Sequence, residues 1–330
     1  MALTVSAPSP GDVAADIPEE VAGRSLWQIT WNRIRHDRTA MVCLVVVLMY
    51  YAVALLAGPI MVRLGIDPYS FDGAAVSDNA GAPYGAWGGI SREHLLGVEW
   101  GTGRDILAQL LNGLRISLFI ATVSTIAVVV LGIVFGIISG YSRGVVDTMI
   151  GWLIDIILAF PFILLVLALS GVMTQRLEAM GVPEGNPARI TCLIVLFSVF
   201  GWTYLARLIR GQILSLREKE FIESAVSMGS GTTRILFKEL LPNLWPTIIV
   251  YTTITLPVYI STEAAFAYLG VGTLPPDVTF GAMLGNSVGY FRAVPSYLFI
   301  PGTLLVVLVV AFSLLGDAVR DALDPRAGRV

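Results

Sequence analysis

Residues 116–142 read ISLFIATVSTIAVVVLGIVFGIISGYS, an unbroken run without a single charge. As a helix rising 1.5 Å per residue this run is about 40 Å long, more than the roughly 30 Å of hydrocarbon in a bilayer. Working outward, uncharged runs recur at 39–62, 190–206, 240–262 and 293–316, and 148–175 is interrupted only by Asp155. The spacing predicts an all-α polytopic membrane protein with six transmembrane helices. The run 190–206 is the shortest, and Arg189 and Arg207 at its ends are expected to snorkel to the headgroups.

Composition supports the same class. Of 330 residues, 55% are apolar and 14% charged, with a mean hydropathy of +0.77, whereas a soluble domain carries roughly 25% charged residues. The formal charge of −3 offers no global field for a polyanion, so no nucleic-acid partner is expected. Cys43 and Cys192 both lie inside apolar runs, as small core residues do, and outside any metal or disulfide pattern.

Six crossings place both termini on one side, and the basic residues say which. Segments 1–38, 139–147, 207–246 and 317–330 hold 14 Lys and Arg, against 7 in 63–115, 174–189 and 270–292. The positive-inside rule predicts cytoplasmic termini and a cytoplasmic 207–246 loop in a plasma (inner) membrane protein. The expected organisation is a disordered tail over 1–23, an interfacial helix over 24–38, a first span at 39–62 and an external loop over 63–112. A core of five spans then fills 113–317, and a cytoplasmic tail covers 318–330. In the interfacial helix, Ser25 and Gln28 have capping-box spacing, and Leu26, Trp27, Trp31 and Ile34 make an apolar stripe opposed by Arg24, Arg35 and Arg38. The alternative is a plain extension of the first span.

The inventory excludes several chemistries. The two lysines, Lys219 and Lys238, are each followed by glutamate, so no GxxxxGK[ST] phosphate loop exists. His36 and His94 fall on opposite sides of the membrane without HExxH or paired-acid company, so no metal site is expected. No span carries the arginine series of a voltage sensor, and no TVGYG filter is present. No catalytic residue is assigned. A secondary transporter or channel working without an ATPase stays open on these grounds alone.

The inner loop, GQILSLREKEFIESAVSMGSGTTRILFKELLPNLWP over 211–246, is the longest polar segment predicted inside. Ser215 and Glu218 have capping-box spacing ahead of a helix whose broad face is Phe221, Ile222, Ala225, Val226 and Met228. Gly229 supplies a left-handed end, and Gly231, Thr232 and Thr233 turn into a second helix expected to stop at Pro242. Two short helices with small residues at the bend form either a knob gripped from below or an amphipathic re-entry into the bundle.

At this point the sequence resembles a known family. Glu223, Ser224, Ala225, then Gly229, then Leu241 and Pro242 are similar to the E-A-A…G…L-P signature of ABC-importer membrane subunits, with Ser224 in place of the first alanine. Residues 94–118, HLLGVEWGTGRDILAQLLNGLRISL, resemble a segment of the dipeptide/oligopeptide/nickel permease branch. So do 262–284, TEAAFAYLGVGTLPPDVTFGAML, and 314–326, LLGDAVRDALDPR. The long first external loop fits the C-type member of the branch's permease pair. The chain departs from the pattern at Glu99, usually Asp, by one extra residue between Glu99 and Gly103, and at Trp152 and Ser313.

The resemblance implies the type I ABC importer permease fold, with the 215–242 loop as a coupling helix seated in an ATPase groove. It implies a second homologous permease, two ABC ATPase subunits that carry the ATP and Mg, and an extracytoplasmic substrate-binding protein. No cofactor is expected on this chain itself. The implied cargo is a di- or oligopeptide, with nickel chelate or another small solute as the alternative.

Two acids inside spans remain. Asp155 and Glu263 are too costly to face lipid, and either line a translocation path or pair helices. Gly132, Gly136 and Gly140 recur every fourth residue, a spacing that suits close helix approach. Gly270, Gly272, Pro275 and Pro276 mark an external turn. His94, Gly97, Arg104 and Asp105 belong to the external loop, which Arg104 and Asp105 are expected to pin.

Overall fold

The computed structural model describes residues 26–77, 81–85, 87–142 and 144–323. Its helices are α1 (Leu26–His36), α2 (Arg38–Leu64), α3 (Ile106–Tyr141), α4 (Val145–Ala159), α5 (Phe162–Ala179) and α6 (Asn186–Leu216). There follow α7 (Glu220–Ser227), α8 (Thr232–Arg234), a π-helical turn (Ile235–Leu240), α9 (Leu241–Tyr268), α10 (Phe280–Ser287) and α11 (Ser296–Leu323). Among the described residues six helical stretches are long and apolar enough to cross a membrane, and β structure is limited to isolated bridges.

The boundaries differ from the uncharged runs wherever a charge or a polar side chain has a partner. α3 begins at Ile106, ahead of the expected loop end at 112, because the Asp105 side chain caps it by accepting from the Ala108 amide at 2.8 Å. The fourth span is the 31-residue α6, well beyond 190–206. Its arginines do not need to snorkel. Arg207 pairs with Asp155, Arg210 bonds both oxygens of Asp147 at 2.6 and 2.8 Å, and Arg189 donates to the Gly272 carbonyl at 3.1 Å. α11 continues to Leu323, so the expected tail at 318 starts inside a helix.

The run 148–175 is two helices. Pro161 forces the preceding residue out of the α region, and Phe160 is extended at φ −90° and ψ 135°. α4 therefore stops at Ala159 and only α5 counts as a span. The opposite correction applies to Pro242. The helix expected to stop there runs on from Thr232 to Tyr268. Proline lacks an N–H and crowds the turn before it, and that turn widens into the π segment, where the Leu241 amide reaches back to Leu236.

α1 is separate from α2. Asp37 breaks the chain between them and caps α2 by accepting from the Thr39 amide at 2.8 Å and the Ala40 amide at 3.2 Å. Ile34 is buried with Ala40 against Ala322 near the end of α11, whereas Trp31 is exposed. Ser25, the expected cap of α1, and the 1–23 tail lie outside the described residues.

The bundle is organised on α3 and α6. Cβ atoms placed on Gly132, Gly136 and Gly140 would stand 2.8–2.9 Å from Leu205, Ile209 and Ile213 respectively. Both sets recur every fourth residue, so glycines of α3 receive the branched side chains of α6 along one seam. In lipid no hydrophobic force drives helices together, and close backbone approach supplies the dispersion contact instead. The seam continues into a packed core where Phe197 stacks on Tyr259, their centroids 4.9 Å apart.

A polar cap closes one end. Arg104 meets Glu99 Oε2 through Nε and Nη2, both at 2.7 Å, and donates to the Pro276 carbonyl at 3.1 Å. The buried Tyr297 hydroxyl shares its proton between Glu99 Oε1 at 3.0 Å and Gln109 Oε1 at 2.8 Å. Gly97 has φ +85°, and a side chain there would collide with the Gly88 carbonyl. His94 places Nδ1 2.9 Å from Asp105 Oδ2 and Nε2 3.2 Å from Asp72 Oδ2. Burial opposes charge on the ring, but the hydrogen bonds to the two carboxylates outweigh it and raise the His94 pKa. The same contact lowers that of Asp72.

Two expectations follow. Gly136→Ala should destabilise the detergent-solubilised chain by about 1–3 kcal/mol through overpacking. Gly58→Ala, where a Cβ meets nothing within 4 Å, should leave the melting temperature level or slightly higher. In the cap, a raised histidine pKa adds stability that is complete below about pH 6.5 and fades as pH rises through the raised value, while the lowered Asp72 contribution fades only in acid. Hydrogen exchange corrected for its intrinsic rate should therefore show residues 91–105 loosening with rising pH, and His94→Gln should remove that dependence.

Candidate functional site: the inner loop

The end of α6 and the start of α9 hold a small helix away from the bundle. Ser215 does not cap it, because α6 runs through to Leu216 and leaves Ser215 inside a helix. The N-cap of α7 is Lys219, without a side-chain bond, and Glu220 and Glu223 in the first turn complement the helix dipole instead. At the other end Gly229 has φ +74°. Its amide donates to Val226 at 2.9 Å and that of Ser230 to Ala225 at 3.0 Å, the paired bonds of a Schellman ending.

Of the expected broad apolar face, only Ile222 and Ala225 are buried. They sit with Ile213, Ile235, Leu240 and Leu244 in a cluster of their own. Phe221, Val226 and Met228 are exposed, the last at 78%. Glu223 and Ser224 are also exposed, beside them on the same short helix. Leu241 packs at the margin of the cluster, and Pro242 opens α9 on its exposed side. The six signature residues thus divide. Ala225 and Leu241 anchor the loop, Gly229 and Pro242 shape its two bends, and Glu223 and Ser224 face outward.

A charged strap lies on the same half of the molecule. Asp147 receives Arg210 and also the Ser139 hydroxyl, at 2.6 Å, and Arg217 donates to the Gly140 carbonyl at 3.4 Å. With Asp155 and Arg207 this ties α4 to α6 at two points one helical face apart. Sequence reading singled out Asp155 and passed over Asp147, which falls just outside an uncharged run. The offset of eight residues between the two acids was the available signal.

Glu263 lies elsewhere. It is fully buried where α3, α9 and α10 meet, and one oxygen accepts from Ser117 at 2.9 Å. Gly281 at the start of α10 packs so closely on Ala264 that a Cβ there would overlap its backbone. His94, Gly97, Arg104 and Asp105 assemble in the cap together with Glu99, Gln109 and Tyr297. A second hub was not anticipated. Asp277 accepts from Tyr69 at 2.7 Å, Asn112 at 3.2 Å and Asn186 at 3.0 Å, joining the loop after α2 to α3 and α6.

Comparison with known proteins agrees with this architecture. The family described as binding-protein-dependent transport system inner membrane component matches residues 132–329. The N-terminal TM domain of oligopeptide transport permease C matches 25–83. The chain is 32% identical over 302 residues to the oligopeptide transport system permease protein OppC of Bacillus subtilis, covering 92% of this chain and 90% of the relative. It is 32% identical over 303 residues to the glutathione transport system permease protein GsiD of Pectobacterium atrosepticum, with 92% of each chain covered. The dipeptide transport system permease protein DppC of Alkalihalophilus pseudofirmus is 31% identical over 302 residues, or 92% of this chain and 90% of that one. In three dimensions, an inward-facing form of the MetNI methionine ABC transporter superposes with a TM-score of 0.51 at 24% identity. It covers 66% of this chain and 96% of its own and shares the fold. The chain belongs to the binding-protein-dependent transport system inner membrane component family, as a multi-pass permease of its oligopeptide permease C branch.

Proposed function

We propose that this chain is one membrane half of an ATP-driven importer of peptides, driven from its inner loop. The observation that carries this reading is α7. It is a helix closed by the Gly229 turn and anchored by two residues, with Val226 and Met228 exposed beside Glu223 on a segment outside the six membrane-capable stretches. An apolar tip with an acidic flank in that position suits a groove on another protein. The chain lacks a phosphate-binding loop, so ATP and Mg belong on two separate ATPase subunits. The basic bias puts the loop and both termini on the cytoplasmic side of the plasma membrane.

The route for movement is mechanical. Helix continues from Thr232 to Tyr268, a length of roughly 55 Å at 1.5 Å per residue. A displacement at α7 passes through the Gly229 turn into this helix and along it to Glu263, beside which α10 packs. Ion pairs from α6 to Asp147 and Asp155 bring α4 along with it. Six helices leave little interior for a peptide, and α5 has Val166 as its one buried residue, which supports a second homologous permease beside it. A binding protein docks over the external loop and delivers the cargo. ATP shifts the two-state equilibrium only by the difference in its affinity for the states.

Gly229→Val tests the coupling. A Cβ there meets nothing within 4 Å, but φ is +74°, which costs a branched residue at least about 1–2 kcal/mol. The chain should insert and lose no more than a few degrees of melting temperature, while peptide-stimulated ATP hydrolysis and uptake by the assembled transporter fall roughly tenfold, as 1.4 kcal/mol implies. Unchanged uptake would refute the assignment of this loop.

A further inference from the structure

Between α5, α6 and the turn after α9 lies a cavity of about 510 Å³ at the polar-cap end of the molecule. Its wall holds one acid and one base, Glu178 on α5 and Arg189 on α6, with Ser170, Thr174 and Gln175 along one side. The two charges are not paired with each other, and among the described residues neither enters an ion pair. Each is steadied by a single backbone bond. Glu178 Oε1 accepts from the Gly185 amide at 3.2 Å, and Arg189 Nη1 donates to Gly272 at 3.1 Å. Glu178 Oε2 and the remaining guanidinium N–H groups carry no hydrogen bond to any of the described residues.

We infer that this cavity binds a small zwitterion, the termini of a short peptide, with Glu178 receiving the ammonium group and Arg189 the carboxylate. A guanidinium presents parallel donors that match a carboxylate, and charge-assisted bonds of this kind are the stronger class. Arg189 also stands in the first turn of α6, where the helix dipole favours an anion. An extended dipeptide separates its charges by about 7 Å, and the two charged side chains stand on the same cavity wall from different helices. The neutral Ser170, Thr174 and Gln175 along the wall suit a peptide bond and leave side chains unspecified. This inference rests on the peptide reading above and adds a site at which a delivered peptide pauses. A zwitterionic lipid headgroup presents the same two charges, and the experiment separates the two sources.

The test uses the assembled transporter in phosphatidylglycerol nanodiscs, whose headgroup carries no cation, without binding protein. Saturation-transfer NMR is recorded with Ala-Phe as the free dipeptide, its N-acetyl form, its C-amide and the doubly blocked form. The wild type should bind the free dipeptide best. Glu178→Gln should weaken the free and amidated forms about tenfold and leave the N-acetyl form unchanged. Arg189→Gln should weaken the free and N-acetyl forms and spare the amide, and Glu178→Asp and Arg189→Lys should recover part of each loss. Equal loss across all four forms, or equal binding of all four to the wild type, would overturn the site. So would loss of the free-dipeptide signal when zwitterionic phosphatidylethanolamine replaces phosphatidylglycerol, which assigns the cavity to lipid. Uptake of Ala-Phe by the complete wild-type system is measured alongside. Its absence defeats the peptide reading itself, whereas uptake with terminus-blind variants defeats only the site.

Discussion

Close approach of α3 and α6 is the constraint on which the remaining geometry rests. Two helices in lipid have no water to expel from between them, so they associate only where shape permits dispersion contact over a long seam. Three glycines at intervals of four on α3, facing Leu205, Ile209 and Ile213 at the same interval on α6, provide that shape. With α6 fixed in depth, Arg207 and Arg210 are placed to meet α4, and Ile213 is placed under Ile222 and Ala225. At its other end α6 presents Asn186 to Asp277 and Arg189 to the 270–274 turn. One interface therefore sets the register of the inner loop and of the outer cap together.

The long spans were legible in the sequence because a bilayer is a severe filter. It admits a charge only where that charge has a partner, so uncharged runs mark the helices. The same filter explains the misreadings. Counting uncharged residues undervalued α6, whose arginines are neutralised by Asp147 and Asp155, groups far away in sequence and adjacent in space. The seam glycines were legible because spacing alone specifies their face. The Glu99–Arg104–Gln109–Tyr297 cap was not, since Tyr297 comes from the far end of the chain and no local pattern announces a hydrogen bond across 198 residues.

Prolines misled in both directions for one reason. Proline disfavours the α conformation at the residue before it and removes one donor, but whether the helix ends depends on what the neighbouring turn can absorb. Phe160 adopts the extended geometry, and the chain breaks into α4 and α5. At Pro242 the preceding turn widens to a π arrangement and the helix continues. The expected stop at Pro242 would have detached the inner loop from the fifth span. Instead the helix from Thr232 runs unbroken to Tyr268, with α7 joined to its start by the Gly229 turn, and the break falls at Phe160.

The distribution of polar groups then separates two kinds of function in one molecule. In the outer cap, Glu99, Arg104 and Tyr297 are buried and mutually satisfied, which makes the loop over 91–105 rigid, since a half-satisfied network would cost more than an apolar one. At the other end α7 is held by Ile222 and Ala225 and leaves its remaining face exposed. Glu263 ties the helices between these two ends together. Enclosed where α3, α9 and α10 meet, it accepts from Ser117, which favours α9 and α3 moving as one body, while the ion pairs of Asp147 and Asp155 join α4 to α6.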